Sequence, residues 1–112
     1  MEDFRFRKKE RLTKKSDFQT IIKNGTRYST KNFVIIIHQN NRDIRRIGVS
    51  ASKRVGGAVR RNRVKRLLRE FFRLHKDLLP DCSDFLFIAK PGSTQLNYST
   101  LSNEMLRFFK NV

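Results

Sequence analysis

The spacing of apolar side chains predicts a short helix near the start of the chain. A first helix over residues 16–24 is indicated by an apolar stripe at i, i+3 and i+4, formed by Phe18, Ile21 and Ile22. We expect a capping box at its start, because Ser16 is followed three residues later by Gln19. A helix of this pattern packs its apolar face against another element, so it is expected to cover a sheet.

The same spacing predicts two further helices. The second, over residues 58–74, has an apolar stripe formed by Val64, Leu67, Leu68, Phe71 and Leu74. The third follows Asn97, a residue type that caps helix N-termini. Its core-facing positions are expected to be Tyr98, Leu101, Met105, Phe108 and Phe109.

Segments rich in β-branched and aromatic residues predict four strands, over residues 26–30, 33–37, 47–52 and 84–90. The resulting order is α-β-β-β-α-β-α, which is typical of a helix-covered sheet of the α+β class. In the third strand Gly48, Ser50 and Ser52 alternate onto one side, which is therefore small and polar. That side is either an ordinary solvated face or a floor on which a bulky ligand can approach the sheet.

Composition changes this picture because the chain is strongly basic. Its 112 residues carry 26 Lys and Arg against 10 Asp and Glu, a formal net charge of +16. Ten Phe residues are too many for a disordered basic tail. We therefore expect one folded domain over residues 1–112, with a basic, extended N-terminal segment over 1–15. Such a charge is usually neutralised by a polyanion, and nucleic acid is the first candidate.

Several classes of protein are disfavoured by the same sequence. No apolar run approaches the roughly 18 residues of a membrane span, and the first residues do not resemble a signal peptide. A single cysteine, Cys82, forms neither an internal disulfide nor a cysteine-based zinc site. Since no Ser-His-Asp or Cys-His arrangement is apparent, we expect no catalytic residue and no metal site in this chain.

Residues 53–73 carry the strongest functional signal. Nine Lys and Arg stand against one acid, Glu70, which leaves a net charge of +8. On a helical projection these cations lie beside and opposite the apolar stripe. A helix face that is merely solvated mixes charge signs to gain pairs four residues apart, so the pattern favours phosphate binding. Arginine predominates, and guanidinium groups bind phosphate bidentately and stack on bases.

Two side chains of the first helix offer a second candidate surface. Phe18 and Ile22 lie one turn apart, and aromatic side chains beside basic grooves stack unpaired bases. The competing interpretation is core packing, which the sequence alone favours. The residues therefore leave the role of this pair open.

At this point the sequence resembles a known family. Residues 50–70 closely resemble the signature of the bacterial ribonuclease P protein subunit, whose core here is Arg61-Asn62-Arg63. Residues 12–18 look like the opening of that family, and residues 88–91 look like its last strand. The resemblance extends over nearly the whole chain.

The resemblance implies a fold and a function. The implied fold is a compact α/β sandwich with a left-handed crossover through the basic helix, whereas the general rule favours a right-handed one. Members of the family bind a large catalytic RNA, which uses bound Mg²⁺ to remove the 5′ leader from precursor tRNA. We expect this chain to be the protein component of that endoribonuclease, with catalysis in the RNA and no organic cofactor. We also expect a cytoplasmic protein with no membrane partner, monomeric by itself and present in one or more copies per complex.

Family positions carried over onto this chain form two groups. Those expected to bind the catalytic RNA are Lys53, Arg61, Asn62, Arg63, Lys65, Arg66 and Arg69. Those expected to line a cleft for the single-stranded leader are Phe18, Ile22, Ile36, Ser50, Ser52 and Arg54. Ile22 and Ile36 stand where the family often has aromatic residues, so stacking should depend mainly on Phe18.

A second hypothesis belongs to a different class of protein. A structural RNA-binding protein with no enzymatic partner, such as a ribosomal protein or an RNA chaperone, explains the basic helix equally well. Only the signature and its extent favour the ribonuclease P hypothesis. An autonomous nuclease is a poor third, since the sequence offers no acid–base cluster.

Overall fold

The computed structural model describes residues 6–111 and contains the elements in the predicted order. Its helices are α1 (Lys15–Asn24), α2 (Ala58–Leu74) and α3 (Tyr98–Lys110). Its strands are β1 (Thr26–Ser29), β2 (Phe33–Gln39), β3 (Arg46–Ser50) and β4 (Ser83–Ala89). Short 3₁₀ turns occupy Lys8–Glu10, Lys76–Leu78 and Pro91–Gln95. No helix within residues 6–111 combines the length and the apolar character needed to cross a membrane.

The two predicted helix starts have different outcomes. The Asn97 cap is confirmed, because its side chain accepts a hydrogen bond from the Thr100 backbone N–H at 2.9 Å. The capping box at Ser16 is wrong. Helix α1 begins one residue earlier, and its N-cap Lys14 makes no side-chain capping hydrogen bond. Ser16 therefore lies inside the first turn, where its carbonyl accepts from the Thr20 hydroxyl at 2.9 Å.

The four strands form one mixed sheet in the order β1-β2-β4-β3. Strand β2 pairs antiparallel with β1 and β4, while β3 and β4 are parallel neighbours. Parallel neighbours need a crossover connection, and helix α2 supplies it. The α+β class and the element order are confirmed, and the left hand of the crossover stays a prediction from the resemblance.

Each face of the sheet is covered by different helices. Strand pairing places alternate side chains on one face, where α2 and α3 pack on them. The sheet residues of this larger core are Phe33, Ile35, Ile47, Phe85, Phe87 and Ala89. On the opposite face Ile36 and Leu86 pack with Ile21 of α1 and with Leu12. Because α1 has only 10 residues, it leaves part of that face uncovered.

The N-terminal segment wraps around the free edge of β3. The Leu12 N–H donates to the Ile47 carbonyl at 2.9 Å, and the Leu12 side chain is buried. Residues 8–10 form a 3₁₀ turn, in which the buried Glu10 pairs with Lys76 Nζ at 2.9 Å. The expected extended segment is therefore interrupted by an anchored turn. The first five residues of the expected segment lie outside the described residues.

A buried ion pair joins β3, β4 and α1. The Arg46 guanidinium donates from Nε and Nη2 to the two carboxylate oxygens of Asp84, at 2.8 and 2.7 Å. Its Nη1 lies 3.5 Å from the Asp17 carboxylate of α1. The hydrogen bond to Asp84 raises the pKa of Arg46, although burial opposes this shift. The Asp84 carboxylate also accepts from Asn40 Nδ2 at 2.8 Å, so its oxygens are well satisfied.

Replacing this buried carboxylate is expected to destabilise the fold more than replacing an exposed one nearby. Asp84→Asn leaves the Arg46 cation without its full counter-charge, so we expect a loss of about 3–5 kcal/mol in the free energy of unfolding. Asp81 pairs with Arg45 but is 78% exposed, so Asp81→Asn is expected to cost less than about 1 kcal/mol. Urea denaturation of the two variants measures both values. Equal losses would show that the buried Arg46–Asp84 pair contributes no more to stability than the exposed Arg45–Asp81 pair.

Candidate nucleic-acid interface

The part of the sheet that α1 leaves uncovered forms the first half of the candidate site. One row of opposed residues crosses all four strands there and consists of Ser29, Val34, Ile88 and Ser50. Its ends are exposed and its two central side chains are half-buried. We call this row, together with Phe18 and Ile22 of α1, the open sheet face.

The Phe18 ring lies directly on strand β3. A Cβ atom built on Gly48 would stand 2.6 Å from Phe18 Cε1, which is closer than real side chains approach. Gly48 is buried, whereas Ser50 on the same side of the strand is exposed. On the side of this strand that was predicted to be small and polar, Gly48 therefore makes room for the Phe18 ring. Only the end of that side, at Ser50, is open to a ligand.

Two isoleucines of the predicted cleft have different positions. Ile22 of α1 is 53% exposed, so it is available to a ligand. Ile36 is 1% exposed, because α1 packs over it. Its assignment as a direct contact residue is therefore corrected: in this structure Ile36 supports α1 from below.

A short loop joins the open sheet face to the basic helix. It carries the exposed side chains of Ser52, Lys53 and Arg54, while buried Ala51 and Val55 anchor it. The next residue, Gly56, has φ +151°, a conformation that other residues rarely adopt. This backbone turn lets the exposed cations of the loop continue into the cations of α2 without a break.

Helix α2 presents a basic surface opposite its buried stripe of Val64, Leu68, Phe71 and Phe72. Asn62, Arg63 and Arg66 are exposed, whereas Arg61, Lys65 and Arg69 flank the stripe and are half-buried. We call these six residues together with Lys53 the basic face. Within residues 6–111 no cation of the basic face has a carboxylate within 4.0 Å. The helix also begins without a side-chain cap, so its first N–H groups add to the attraction for an anion.

Most carboxylates of the described chain have partners outside the basic face. Four cations outside the basic face bind five carboxylates. Arg45 pairs with Asp81, Arg46 with Asp84 and Asp17, Arg73 with Glu70, and Lys76 with Glu10. The Glu104 carboxylate accepts from Thr30 and from Asn32 at 2.6–2.9 Å. The basic face therefore keeps its charge for a partner. Burial, together with the neighbouring Arg11, lowers the pKa of Arg69, as expected for a cation without a counter-ion.

The structure also reveals residues that the sequence analysis did not single out. The Arg11 guanidinium lies 4.8 Å from the centre of the Phe6 ring, and this pair stands beside the basic face. The Phe6 ring in turn packs edge-on against Phe72 of α2 at 5.7 Å. Local periodicity does not predict the contact of Phe6 with Phe72, because these residues are far apart in sequence.

Comparison with known proteins shows the family to which the chain belongs. The sequence profile of the family described as Ribonuclease P matches residues 6–112. This chain belongs to the ribonuclease P protein family. The ribonuclease P protein component of Dictyoglomus turgidum is 47% identical over 93 residues, which cover 82% of this chain and 77% of that protein. That of Syntrophus aciditrophicus is 38% identical over 105 residues, covering 94% and 88%.

Solved structures of the ribonuclease P family share the fold. The ribonuclease P protein of Staphylococcus aureus superposes with a TM-score of 0.83 at 33% identity, covering 90% of this chain and 93% of that one. The protein from Thermotoga maritima also gives a TM-score of 0.83, at 30% identity, with 92% and 97% covered. The chain is thus a protein component of this tRNA-processing endonuclease, and family membership implies partnership with the ribonuclease P RNA. The hypothesis of a structural RNA-binding protein with no enzymatic partner is correspondingly disfavoured.

The seat of Phe18 gives a prediction about stability. Gly48→Ala forces a methyl group into the ring, so we expect it to lower the free energy of unfolding by roughly 1–3 kcal/mol. Gly57→Ala is the matched control, because a Cβ there meets nothing within 4 Å and should cost less than about 1 kcal/mol. Denaturant unfolding of both variants checks this. If Gly48→Ala were as stable as the control, Phe18 would not be seated on β3.

Proposed function

We propose that the basic face binds the ribonuclease P RNA, while the open sheet face holds the single-stranded 5′ leader of precursor tRNA. The observation that carries this proposal is the row of uncompensated cations on α2, which continues through the exposed loop to the edge of the open sheet face. Phosphate groups of a folded RNA supply the missing counter-charge and release their condensed cations on binding. A chain with one continuous basic surface can therefore contact two RNA segments at once.

The open sheet face suits a single strand better than a duplex. It is a shallow surface with apolar side chains at its centre, Val34 and Ile88, and with Phe18 and Ile22 contributed by α1. Unpaired bases stack or rest on such side chains, whereas the bases of a duplex are hidden. The hydroxyl groups of Ser50 and Ser52 can reach ribose or phosphate oxygens. Arg54 adds a cation where the strand leaves towards α2.

In this proposal the chain contributes to catalysis by positioning the substrate. Holding the leader on the open sheet face and the catalytic RNA on the basic face fixes the substrate relative to the RNA. Within the described residues, no three His, Cys, Asp or Glu side chains come together in a way that could hold a metal ion. We propose that the Mg²⁺ of the reaction is bound mainly by the RNA partner. We further propose a cytoplasmic protein that enters the complex as a monomer.

Reconstitution tests this function. A bacterial ribonuclease P RNA is incubated with precursor tRNA at low Mg²⁺, with the chain, without it, and with the chain alone. We expect cleavage at the mature 5′ end only when RNA and chain are both present. Binding to the RNA without stimulation of cleavage would overturn the proposal in favour of a general RNA-binding role. Cleavage by the repurified chain alone would revive the autonomous nuclease.

Removing one cation of the basic face should weaken RNA binding in a salt-dependent way. Arg63 is exposed and has no carboxylate partner within residues 6–111, so Arg63→Ala removes charge with little effect on packing. We expect weaker binding to the ribonuclease P RNA and a salt slope, log K against log salt, smaller by about one. Arg107→Ala is the matched control, because Arg107 is an exposed cation on α3. An unchanged slope for Arg63→Ala would remove Arg63 from the contact set.

Removing the Phe18 ring should weaken binding of the leader specifically. If a base stacks on it, Phe18→Ala costs about 1–3 kcal/mol in affinity for precursor tRNA, measured with the assembled complex. Mature tRNA lacks the leader, so its affinity for the variant complex should be unchanged. Equal losses for the two tRNAs would mean that Phe18 acts only through the packing of α1 on β3.

A further inference from the structure

A cavity lies between the N-terminal segment and the outer side of α2. Its volume is about 480 Å³, within the roughly 300–1,000 Å³ range of small-molecule sites. One wall is the Phe6 ring with the Arg11 guanidinium beside it. The other wall is α2, which contributes Asn62, Arg66 and Arg69. The cavity is therefore built by two segments that are distant in sequence, and it includes three residues of the basic face.

The charges of this cavity call for an anion. Among the described residues that line it, four guanidinium groups, those of Arg11, Arg66, Arg69 and Arg73, stand against one carboxylate, that of Glu70. That carboxylate is already paired with Arg73. Arg11 and Arg69 repel each other, and burial removes part of the water that would screen them. A phosphate group bound between the two would reverse this repulsion.

The shape and the aromatic wall call for more than a phosphate. An inorganic anion would fill only part of the cavity, and it would make no favourable contact with the Phe6 ring. The Arg11 guanidinium is held over the ring, and a guanidinium plane supported in this way is a platform on which a base can stack. Glu70 then offers carboxylate oxygens to hydrogen-bond donors on the edge of the base. Guanine presents two neighbouring N–H donors there, whereas uracil presents one.

We propose that this cavity binds one unstacked nucleotide of the RNA partner, with guanine preferred over uracil. The phosphate lies between Arg11 and Arg69, and the base lies on the Arg11–Phe6 platform with its edge towards Glu70. This proposal rests on the RNA partnership stated above and adds a base-recognition site to a face that otherwise reads only backbone charge. It also gives the N-terminal segment a direct role in RNA binding.

The first test uses mononucleotides on the full chain. GMP, UMP and inorganic phosphate are titrated separately, and NMR follows the Nε–H signals of Arg11, Arg66 and Arg69. We expect GMP to bind here about tenfold more tightly than phosphate and more tightly than UMP. Equal affinities for GMP and phosphate would overturn the proposal and leave a simple anion site. Shifts confined to other arginines would also overturn it.

A substitution of Glu70 separates base recognition from charge. Glu70→Gln removes a negative charge, so affinity for all three anions should rise if charge alone matters. We expect the preference for GMP over UMP to fall in this variant, because a carboxylate that accepts two N–H groups has gone. A preference that persists at full size would overturn the assigned role of Glu70 and, with it, the guanine preference.

A second test uses the ribonuclease P RNA itself. Phe6→Leu keeps apolar packing on Phe72 but removes the ring under Arg11, and Arg11→Gln removes the platform cation. We expect each to weaken RNA binding about tenfold, with melting temperatures close to that of the parent chain. Arg107→Gln, on α3, is the matched control. If both variants bind the RNA normally while Arg63→Ala does not, this inference fails and the proposed function stands. If the parent chain does not stimulate cleavage, the proposed function fails, whereas the mononucleotide titration still decides whether the cavity binds nucleotides.

Discussion

The geometry of the candidate site depends on the contacts of the Arg46 guanidinium. It contacts Asp84 of β4 and Asp17 of α1, and so connects a helix to two neighbouring strands. Its side chain is largely buried. Because α1 is held at this end of the sheet, its ring at Phe18 is seated on Gly48 and the other end of the face stays open. The open sheet face exists because α1 covers only part of the sheet, so α1 must be held in a fixed position. The buried ion pair of Arg46, with its several hydrogen bonds, holds it there.

The second constraint is the distribution of charge. Most of the paired carboxylates in the described chain, those of Glu10, Asp17, Asp81 and Asp84, bind cations outside the basic face. Glu70 lies closest to that face, and it is held by Arg73. The cations of α2 and its preceding loop are therefore left to a partner. This separation has a physical cost, since like charges on one helix repel, and an RNA relieves the repulsion on binding.

The N-terminal segment connects these two features. Its backbone pairs with the edge of β3, its Leu12 packs beneath α1, and its Phe6 and Arg11 stand against α2. A segment that is mainly basic in sequence thus covers a sheet edge that would otherwise be free to pair with another chain. The same contacts place an aromatic ring and a cation beside the basic face, which makes the segment part of both the fold and the proposed interface.

The sequence alone determined the elements, their order and the basic side of α2, because these follow from local periodicity and composition. It placed the start of α3 at Asn97 but misplaced the cap of α1 by two residues, at Ser16 instead of Lys14. Only the tertiary structure decided that Ile36 is buried, that Gly48 seats Phe18, and that Arg46 finds two carboxylates. The contacts of Phe6 and Arg11 with α2 are likewise known only from the tertiary structure. These facts depend on contacts between segments that are distant in sequence, and local periodicity does not specify such contacts.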